Sequence, residues 1–528
     1  MRKSLACISL AVLLAAGCGE NQSGKGPAET AAVDPGRVTP QDLKAAVRDE
    51  RLKSFYASRG WAPVWTGELA AQLETAFGEA DRHAINPRSF REEARAGRTP
   101  AEREAALTLA ALDYARALAT GVVDPHTLWE VYEVPMPRVD LAAGLGRAAG
   151  AGGIGPWLAS LPPSDPEYRA LSDAYLAYRR RAAGEKHATI AAGGKIEEGD
   201  ADERMPLIAE SLRGNGYLPP PPPPPAQGQA KQARPLADAK LYTPALAQAV
   251  ARLQEDYGIK PDGVIGDDTI EALNIGPVER ARILAVNLER RRWLERRPPA
   301  TRIDVNTAGA FLDYWRDGGH ARRARVVVGQ PGWETPELAS PIVRLVANPP
   351  WTIPDSIAEE EILPKGAAYM AREHIGMRNG KLVQEPGPKS ALGLVKFDMA
   401  NKHQIYLHDT PAKALFASSE RHSSHGCARV EDALGFARLL AQDAGLGAAF
   451  DRALAKEDEE EEGRKKEGSI VLPRPIPVRL IYHTAYWDGG RVLFRTDPYG
   501  WDDKLATALG LGTQVRHRLR THVRDVGP

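Results

Sequence analysis

The sequence RHSSHGCARV, at residues 421–430, holds two histidines, two serines, a glycine and Cys427 within ten positions. The other two cysteines, Cys7 and Cys18, both lie near the N-terminus. A cysteine reacts as its thiolate, so a nucleophilic cysteine needs a neighbouring base or a lowered pKa. A buried, inert cysteine is the ordinary alternative, but polar and small residues surround this one. The stretch therefore predicts a nucleophilic cysteine.

Three histidines lie near Cys427 in the sequence, and any of them is a candidate base. His425 would share a face with Cys427 if both lay on a strand, because side chains alternate. His408 lies in KHQIYLHDT, which reads as an adjacent strand. Spacing alone does not choose between them. A second interpretation is a zinc site whose ligands are His408, His422, His425 and Cys427. The spacing of these residues is tight for zinc, and no carboxylate base lies beside them in the sequence.

Length and charge narrow the class of protein. A chain of 528 residues is too long for one hydrophobic core, so two to four domains are expected. Lys+Arg and Asp+Glu both number 69, which gives a net charge of zero. A nucleic-acid-binding protein usually carries a basic surplus, so we expect no nucleic-acid partner.

The N-terminus has the pattern of an export signal. Two basic residues precede an apolar run at 5–16, which is too short to span a bilayer. The run ends in LLAAGC, which resembles a bacterial lipoprotein cleavage box with Cys18 as the lipidated residue. A plain secretory signal is the alternative. We expect a signal peptide at 1–17 and a flexible tether at 18–40. Gly19 follows the cysteine, which resembles the pattern of Gram-negative lipoproteins sorted to the outer membrane. We therefore expect a periplasmic protein that is anchored to the inner leaflet of the outer membrane.

Hydrophobic periodicity divides the remaining chain. Helical spacing predominates before residue 240 and strand patterns predominate after residue 301. We expect the arginines of the helix between them to face solvent in salt bridges. The predicted segments are a helical domain at 41–240 with a proline-rich loop, a compact helical module at 241–277, a connector helix at 278–300, a strand-rich domain at 301–510 and a tail at 511–528. The strand-rich domain contains a predicted flap at about 357–394 and an acidic insertion at 456–467.

Two of these segments resemble known families. LQEDYGIKPDGVIGDDTIEALN, in the compact module, resembles the small three-helix peptidoglycan-binding domain. That family binds cell-wall glycopeptide in a shallow groove, but next to an enzyme it can be purely architectural. IYLHDTPAKALF and RHSSHGCARVED together resemble the L,D-transpeptidase catalytic domain of the YkuD type, in which a histidine precedes a Ser-His-Gly-Cys motif. Upstream RIDVN, VVVG and NPPWTIP fit the same domain.

This resemblance implies the architecture of the large multi-domain L,D-transpeptidases of Gram-negative bacteria. It implies an α+β multidomain fold: a mainly-β catalytic domain (a β-sandwich), a helical scaffold domain and the three-helix module. It also implies roles for single residues. Cys427 is the nucleophile, His408 donates and accepts the proton, the backbone of Asp409 orients His408, and Gly426 contributes to the oxyanion hole. The implied substrate-binding residues are Tyr406, Ser424, His425, Arg429 and Trp351.

The implied reaction is acyl transfer from a tetrapeptide stem of peptidoglycan through a cysteine thioester. A second stem would then accept the acyl group and form a 3→3 cross-link. No cofactor or metal is required, and the implied partners are peptidoglycan stem peptides and a membrane reached through the lipid anchor. Carboxypeptidase activity and lipoprotein attachment or detachment are alternatives on the same fold. A non-catalytic wall-binding lipoprotein is a further alternative.

Overall fold

The computed structural model describes residues 38–184, 188–219, 239–387, 389–455 and 468–512. The predicted signal peptide, Cys18 and most of the tether lie outside the described residues. So do most of the proline-rich loop, the acidic insertion and most of the tail. In the described parts of the chain, no helix combines the length and apolar character needed to cross a bilayer.

The first described part of the chain is helical, and its helices begin at clear capping signals. Thr99 accepts the N–H of Glu102, and the Glu102 carboxylate accepts the N–H of Thr99, which forms a capping box. Thr39 and Asp42 repeat this arrangement. The elements are α1 Pro40–Ala46, α2 Glu50–Ala57, α3 Gly67–Gly78, α4 Arg88–Ala94, α5 Pro100–Thr120, the short strand β1 Tyr132–Glu133, α6 Leu141–Gly150 and α7 Ile154–Ala159.

A second group of helices follows: α8 Pro166–Gly184, α9 Met205–Gly214, α10 Pro244–Tyr257, α11 Asp267–Leu273 and α12 Pro277–Trp293. Helices α9, α10 and α11 share one hydrophobic core. The Ser211 hydroxyl on α9 donates to the carbonyl of Leu273 at 2.6 Å. The compact helical module therefore takes its first helix from before the proline-rich loop, upstream of the predicted boundary at residue 241.

The strand-rich part begins after α12. Its strands are β2 Arg302–Asn306, β3 Phe311–Arg316, β4 Gly319–Gly329, β5 Glu337–Ala339, β6 Ile342–Ala347, β7 Trp351–Thr352, β8 Ile375–Arg378, β9 Lys381–Gln384, β10 Val395–Met399, β11 Leu407–His408, β12 His422–Ser424, β13 Ala428–Val430, β14 Gly468–Ile476, β15 Val478–Ile481, β16 Ala485–Trp487 and β17 Val492–Phe494. Its helices are α13 Asp355–Ile357, α14 Ala367–Arg372, α15 Ala433–Asp443, α16 Gly447–Ala455 and α17 Trp501–Ala508.

The main sheet is mixed and curled. Its strand order is β1-β5-β15-β2-β3-β4-β13-β11-β10-β6-β14, with β12 added on β4. The long strand β4 pairs with β3 and with β13, so it belongs to both halves of the sheet. Inward-facing residues of the two halves, such as Val305 and Phe397, meet in one core with Phe436 of α15. The fold is thus an α+β multidomain with a mainly-β domain, as predicted.

Residues 350–394, here called the cover segment, form a small layer with their own core. Strands β7, β9 and β8 make a three-stranded antiparallel sheet in that order. Trp351, Ile357, Ile362 and Leu392 pack together beneath it. The predicted flap is therefore a packed layer that includes β7, and it carries a π-helical turn at Ala358–Ile362.

The prediction that the arginines of α12 face solvent is wrong. Arg280, Arg290 and Arg292 are each at most 1% exposed. The helix packs against α5, α8, α17 and β16, so little of its surface reaches water. Helical periodicity in the sequence identifies only apolar faces as buried. In this helix charged side chains are buried as well, through ion pairs and contacts with aromatic rings. The guanidinium of Arg280, for example, lies 4.8 Å from the centre of the Phe494 ring.

Candidate active site

A parallel pairing of two short strands brings the predicted site together. Strand β11 pairs with β13, in the register Leu407 with Ala428 and His408 with Arg429. Cys427 directly precedes β13, and the N–H of Ala428 donates to the carbonyl of Tyr406 at 3.2 Å. The two distant halves of the motif are therefore neighbours in the sheet. His408 and Cys427 line the same cavity, whose volume is about 500 Å³.

His408 is held in one tautomer. Its Nδ1 lies 2.5 Å from the carbonyl oxygen of Asp409. A carbonyl can only accept, so Nδ1 carries the hydrogen and Nε2 keeps its lone pair. Burial, and then the positive charge of Arg429, lower the pKa of His408 to about 3. The imidazole is thus neutral at pH 7 and able to accept a proton at Nε2.

The backbone carbonyl of Asp409 is the group that contacts His408, as the orienting role requires. The side chain of Asp409 makes contacts of its own that hold this part of the backbone. One carboxylate oxygen of Asp409 accepts the N–H of Leu394 at 3.0 Å. The other is paired with the ammonium group of Lys413. The carboxylate therefore fixes the chain that presents the carbonyl to His408.

Cys427 is half-buried and its thiol is directed into the cavity region. Its Sγ lies 3.6 Å from the carbonyl oxygen of Gln404. Burial raises the pKa of the Cys427 thiol above its usual range. Burial, and then Cys427, also raise the pKa of the neighbouring Tyr406 phenol well above its ordinary value. The cavity is therefore lined by a neutral thiol and a neutral imidazole at pH 7.

The loop before β13 has a left-handed turn that favours glycine. Gly426 has a φ of +107°, a conformation that other residues rarely adopt. Residues 425–427 consequently do not form a strand, and the alternation expected of His425 and Cys427 does not apply. The Ser424 hydroxyl accepts the N–H of Gly426 at 3.3 Å and donates to the carbonyl of Cys427 at 2.6 Å. The Gly426 N–H therefore turns inward, and Gly426 is buried rather than lining the cavity.

The other two histidines have separate contacts. His425 Nε2 lies 2.5 Å from a carboxylate oxygen of Glu361 on the cover segment. His422 is buried, and its Nε2 lies 2.9 Å from the carbonyl of Thr307. Over the described ranges, no group of three or more His, Cys, Asp or Glu side chains is placed to hold a metal ion. The imidazoles of His408, His422 and His425 thus contact three different partners.

The predicted binding residues Tyr406, Ser424, His425, Arg429 and Trp351 all line the cavity. Sequence reasoning missed three further residues there or beside it. Lys396 lines the cavity and lies 4.2 Å from the centre of the Tyr406 ring. Trp333 lines it and packs edge-on against His425. Glu361 comes from an acidic run, and neither its spacing nor its neighbours distinguish it from Glu359 or Glu360.

Comparisons with known protein families match three regions of the chain. The profile of the YkuD family, described as "L,D-transpeptidase catalytic domain", matches residues 300–457. The profile described as "Scaffold domain" matches residues 50–174. The profile described as "Putative peptidoglycan binding domain" matches residues 208–273, which includes most of α9.

A curated relative and solved structures carry the same family name. A Haemophilus influenzae protein named "Putative L,D-transpeptidase" is 31% identical over 229 residues, covering 39% of this chain and 45% of that protein. The chain thus spans less than half the length of this relative. An L,D-transpeptidase from Stackebrandtia nassauensis is 15% identical, with a TM-score of 0.23 over 56% of this chain and 97% of that chain. A mutant L,D-transpeptidase from Enterococcus faecium is 13% identical, with a TM-score of 0.18 over 34% and 50%.

The three matched regions and the paired strands around Cys427 lead to one assignment. The chain contains an L,D-transpeptidase catalytic domain of the YkuD family, joined to a scaffold domain and a peptidoglycan-binding domain.

Proposed function

We propose that this protein is a cysteine-dependent L,D-transpeptidase that forms 3→3 cross-links in peptidoglycan. The observation that carries the proposal is the fixed tautomer of His408, whose free Nε2 shares a cavity with the Cys427 thiol. This combination supplies a nucleophile and a base within a domain of the L,D-transpeptidase family. The adjoining peptidoglycan-binding domain supports a cell-wall substrate.

In the first step, His408 Nε2 takes the proton of the Cys427 thiol as sulfur attacks. The target is the carbonyl between the L-centre of meso-diaminopimelate and the terminal D-Ala of a tetrapeptide stem. The carbonyl oxygen becomes negative, and the Cys427 N–H is a candidate donor to it. The intermediate then collapses, His408 returns the proton to the leaving amine, and D-Ala departs. A thioester remains on Cys427.

In the second step, a side-chain amine of another stem attacks the thioester and loses its proton to His408. The amide that forms is the 3→3 cross-link, and the Cys427 thiol is restored. Arg429 is 4% exposed at the cavity wall, and a guanidinium is suited to pair with a stem carboxylate. Water as the acceptor would give a trimmed tripeptide instead, which is L,D-carboxypeptidase activity. A wall-attached lipoprotein as the acceptor or donor would give anchoring or detachment.

The test is mass spectrometry of products formed from tetrapeptide stems by the purified protein. We expect 3→3 dimers and free D-Ala from the wild type, none from Cys427→Ala, and no loss of activity with a metal chelator. Cys427→Ser keeps the size and polarity of the side chain and serves as the matched variant. Tripeptide without dimer would replace the proposal with the carboxypeptidase. Absence of any product would favour a non-catalytic wall-binding protein.

We also propose that the protein is a lipoprotein of the periplasm, anchored through Cys18 to the inner leaflet of the outer membrane. The support is the apolar run that ends in Gly17 and Cys18, with Gly19 after it. In cells given a labelled fatty acid, the wild type should take up label and sediment with outer membranes. Cys18→Ala should do neither, and equal labelling of both proteins would contradict the proposal.

A further inference from the structure

One buried hydroxyl joins three parts of the chain next to residues 425–427, here called the cysteine loop. Thr335, in the segment before β5, is 0% exposed and is not among the residues that line the cavity. Its Oγ1 lies 2.9 Å from the N–H of Gly329 at the end of β4. The same Oγ1 lies 2.8 Å from the carbonyl oxygen of Gly426. Thr335 therefore connects the cysteine loop to the long strand shared by both halves of the sheet.

The direction of these two hydrogen bonds is fixed by their partners. The N–H of Gly329 can only donate, so Thr335 Oγ1 accepts from it. The carbonyl of Gly426 can only accept, so the single hydroxyl hydrogen of Thr335 is donated to it. The hydroxyl has no alternative hydrogen position that satisfies both groups, and both are buried, where an unpaired polar group is costly. The carbonyl of Gly426 is thus held towards Thr335.

Holding this carbonyl also sets the direction of the Cys427 N–H. The C=O of Gly426 and the N–H of Cys427 belong to one planar trans peptide unit, in which they point in opposite directions. The carbonyl points to the buried side, so the N–H points to the side where Cys427 lines the cavity. The Gly426 N–H is already donated to Ser424. Among the described residues, the Cys427 N–H meets no acceptor, so it is available to a substrate oxygen.

The backbone segments around Thr335, the end of β4 and the 333–335 loop, are closely packed. A Cβ at Gly329 would overlap the carbonyl of Trp333 and approach the backbone nitrogen of Thr335 to 2.7 Å, so β4 and the 333–335 loop touch directly. Tyr499 donates its hydroxyl hydrogen to the carbonyl of Gly329 at 2.7 Å. This packing leaves the hydroxyl of Thr335 little freedom to move.

From this geometry we infer that Thr335 is a positioning residue for the acyl-transfer step, aiming the Cys427 N–H at the oxygen that becomes negative. The inference rests on the proposed acyl transfer at Cys427. Thr335→Val removes the hydroxyl at nearly constant volume and leaves the N–H present but poorly aimed. Loss of a whole oxyanion donor costs about 100- to 1000-fold in rate, so we expect a poorly aimed one to slow acylation about tenfold.

The experiment compares three reactions of Cys427 in each variant. Acylation by a tetrapeptide stem and by p-nitrophenyl acetate both pass through an oxyanion. Alkylation by iodoacetamide does not, so it reports thiol reactivity alone. The variants are Thr335→Val, the conservative Thr335→Ser, and Thr307→Val. The last is a matched control, because Thr307 is a buried threonine that donates to the carbonyl of Ile481 at 3.2 Å.

The inference is supported if Thr335→Val is slower in both acylations, alkylates at the wild-type rate, and is rescued by serine while Thr307→Val acylates normally. It is overturned if Thr335→Val acylates as fast as the wild type, or if alkylation falls in parallel with acylation. Wild-type protein that reacts with the ester but not with the stem would refute the proposed function alone. In that case, the ester rates still decide the role of Thr335. No reaction with either acyl donor in the wild type would overturn both.

Discussion

Helix α12 and the Cys427 cavity both bury ionisable groups, but their charges differ. In α12, Arg290 is paired with Asp502 of α17, and the two side chains are 1% and 6% exposed. Arg292 is paired with Glu289 on the same helix, and neither is exposed. Each of these arginines stays charged because an anion accompanies it into the interior.

The cavity has the opposite arrangement. His408 is 4% exposed, and within the described parts of the chain its imidazole meets the backbone carbonyl of Asp409 and no carboxylate. Arg429 and Lys396 are the charged groups that act on it, and both are positive. Burial is the larger cause of the lowered pKa of His408, and these two positive charges lower it further, so the imidazole stays neutral. Burial therefore leaves an arginine charged where an anion accompanies it, and it leaves a histidine neutral where the charged neighbours are cations.

The largest effect is expected where the neutral imidazole is removed. His408→Gln should lower acylation of Cys427 by about a thousandfold, because proton transfer by a positioned base contributes about 100- to 10,000-fold. The measurement is single-turnover thioester formation by mass spectrometry. His320→Gln is the control, since His320 pairs with Asp313 on the distant β3–β4 hairpin. A His408→Gln variant with a tenth or more of wild-type activity would assign the base elsewhere, with His425 the next candidate.

The contribution of paired charges to the burial of α12 is tested by removing the cation of one buried ion pair. Arg290→Met leaves Asp502 buried without its cation, so we expect a loss of about 3–5 kcal/mol in the free energy of unfolding. Urea unfolding followed by tryptophan fluorescence measures it. Arg88→Met is the control, because the Arg88–Glu92 pair is 81% and 63% exposed and such pairs contribute about 0–1 kcal/mol. Equal losses in the two variants would refute the idea that α12 depends on paired charges.

Glu337 is a buried acid near Arg290 that is predicted to tie stability to pH. Burial raises its pKa to about 7, although the charge of Arg290 opposes the shift. The folded state holds this proton more tightly than the unfolded state, whose pKa is about 4.5. Its stabilising contribution is therefore complete below about pH 4.5 and is lost as the pH rises through 7.

Glu337→Gln removes this titration. Relative to the wild type, we expect the variant to gain up to about 3 kcal/mol in unfolding free energy between pH 5 and pH 8. Thermal unfolding at both pH values measures the gain, and exposed Glu92→Gln serves as the control. The same difference between variant and wild type at both pH values would exclude Glu337 as the source of any pH dependence.

The smallest effect is expected at the contact between the cover segment and the cysteine loop. Glu361→Ala removes the partner of His425, a partly exposed contact of the kind that contributes about 0.2–1 kcal/mol. We expect KM for the stem peptide to rise about threefold while kcat changes little. Glu360→Ala, at an exposed neighbouring position, is the matched control. A fall in kcat without a change in KM would instead place Glu361 in the chemistry.

The sequence predicted the proximity of His408 and Cys427 better than it predicted the environment of α12. His408 and Cys427 carry a specific spacing, and the structure brings their strands side by side. The contact of Thr335 with Gly426 was not predicted, because 91 positions separate the two residues and no local pattern relates them. The same holds for Glu361 and His425, which are 64 positions apart.

The environment of α12 was predicted wrongly because charged residues at helical spacing are usually solvated. Their burial depends on carboxylates supplied from elsewhere, such as Asp165 for Arg291 and Asp502 for Arg290. Those partners are visible only once the tertiary fold is known. The first helix of the peptidoglycan-binding domain was missed for a related reason, since a proline-rich stretch separates α9 from α10 in the sequence.

The pairing of α12 with α17 has a consequence for the order in which the chain folds. Asp502 follows Arg290 by 212 positions, and Asp503 follows Arg282 by 221. During synthesis or export, α12 emerges long before the carboxylates that neutralise it. We therefore expect the scaffold and the peptidoglycan-binding domain to close fully around this helix only after the last described helix has arrived. A ribosome-stalled chain ending before α17 should remain sensitive to protease around α12, whereas a chain extending past residue 512 should become resistant.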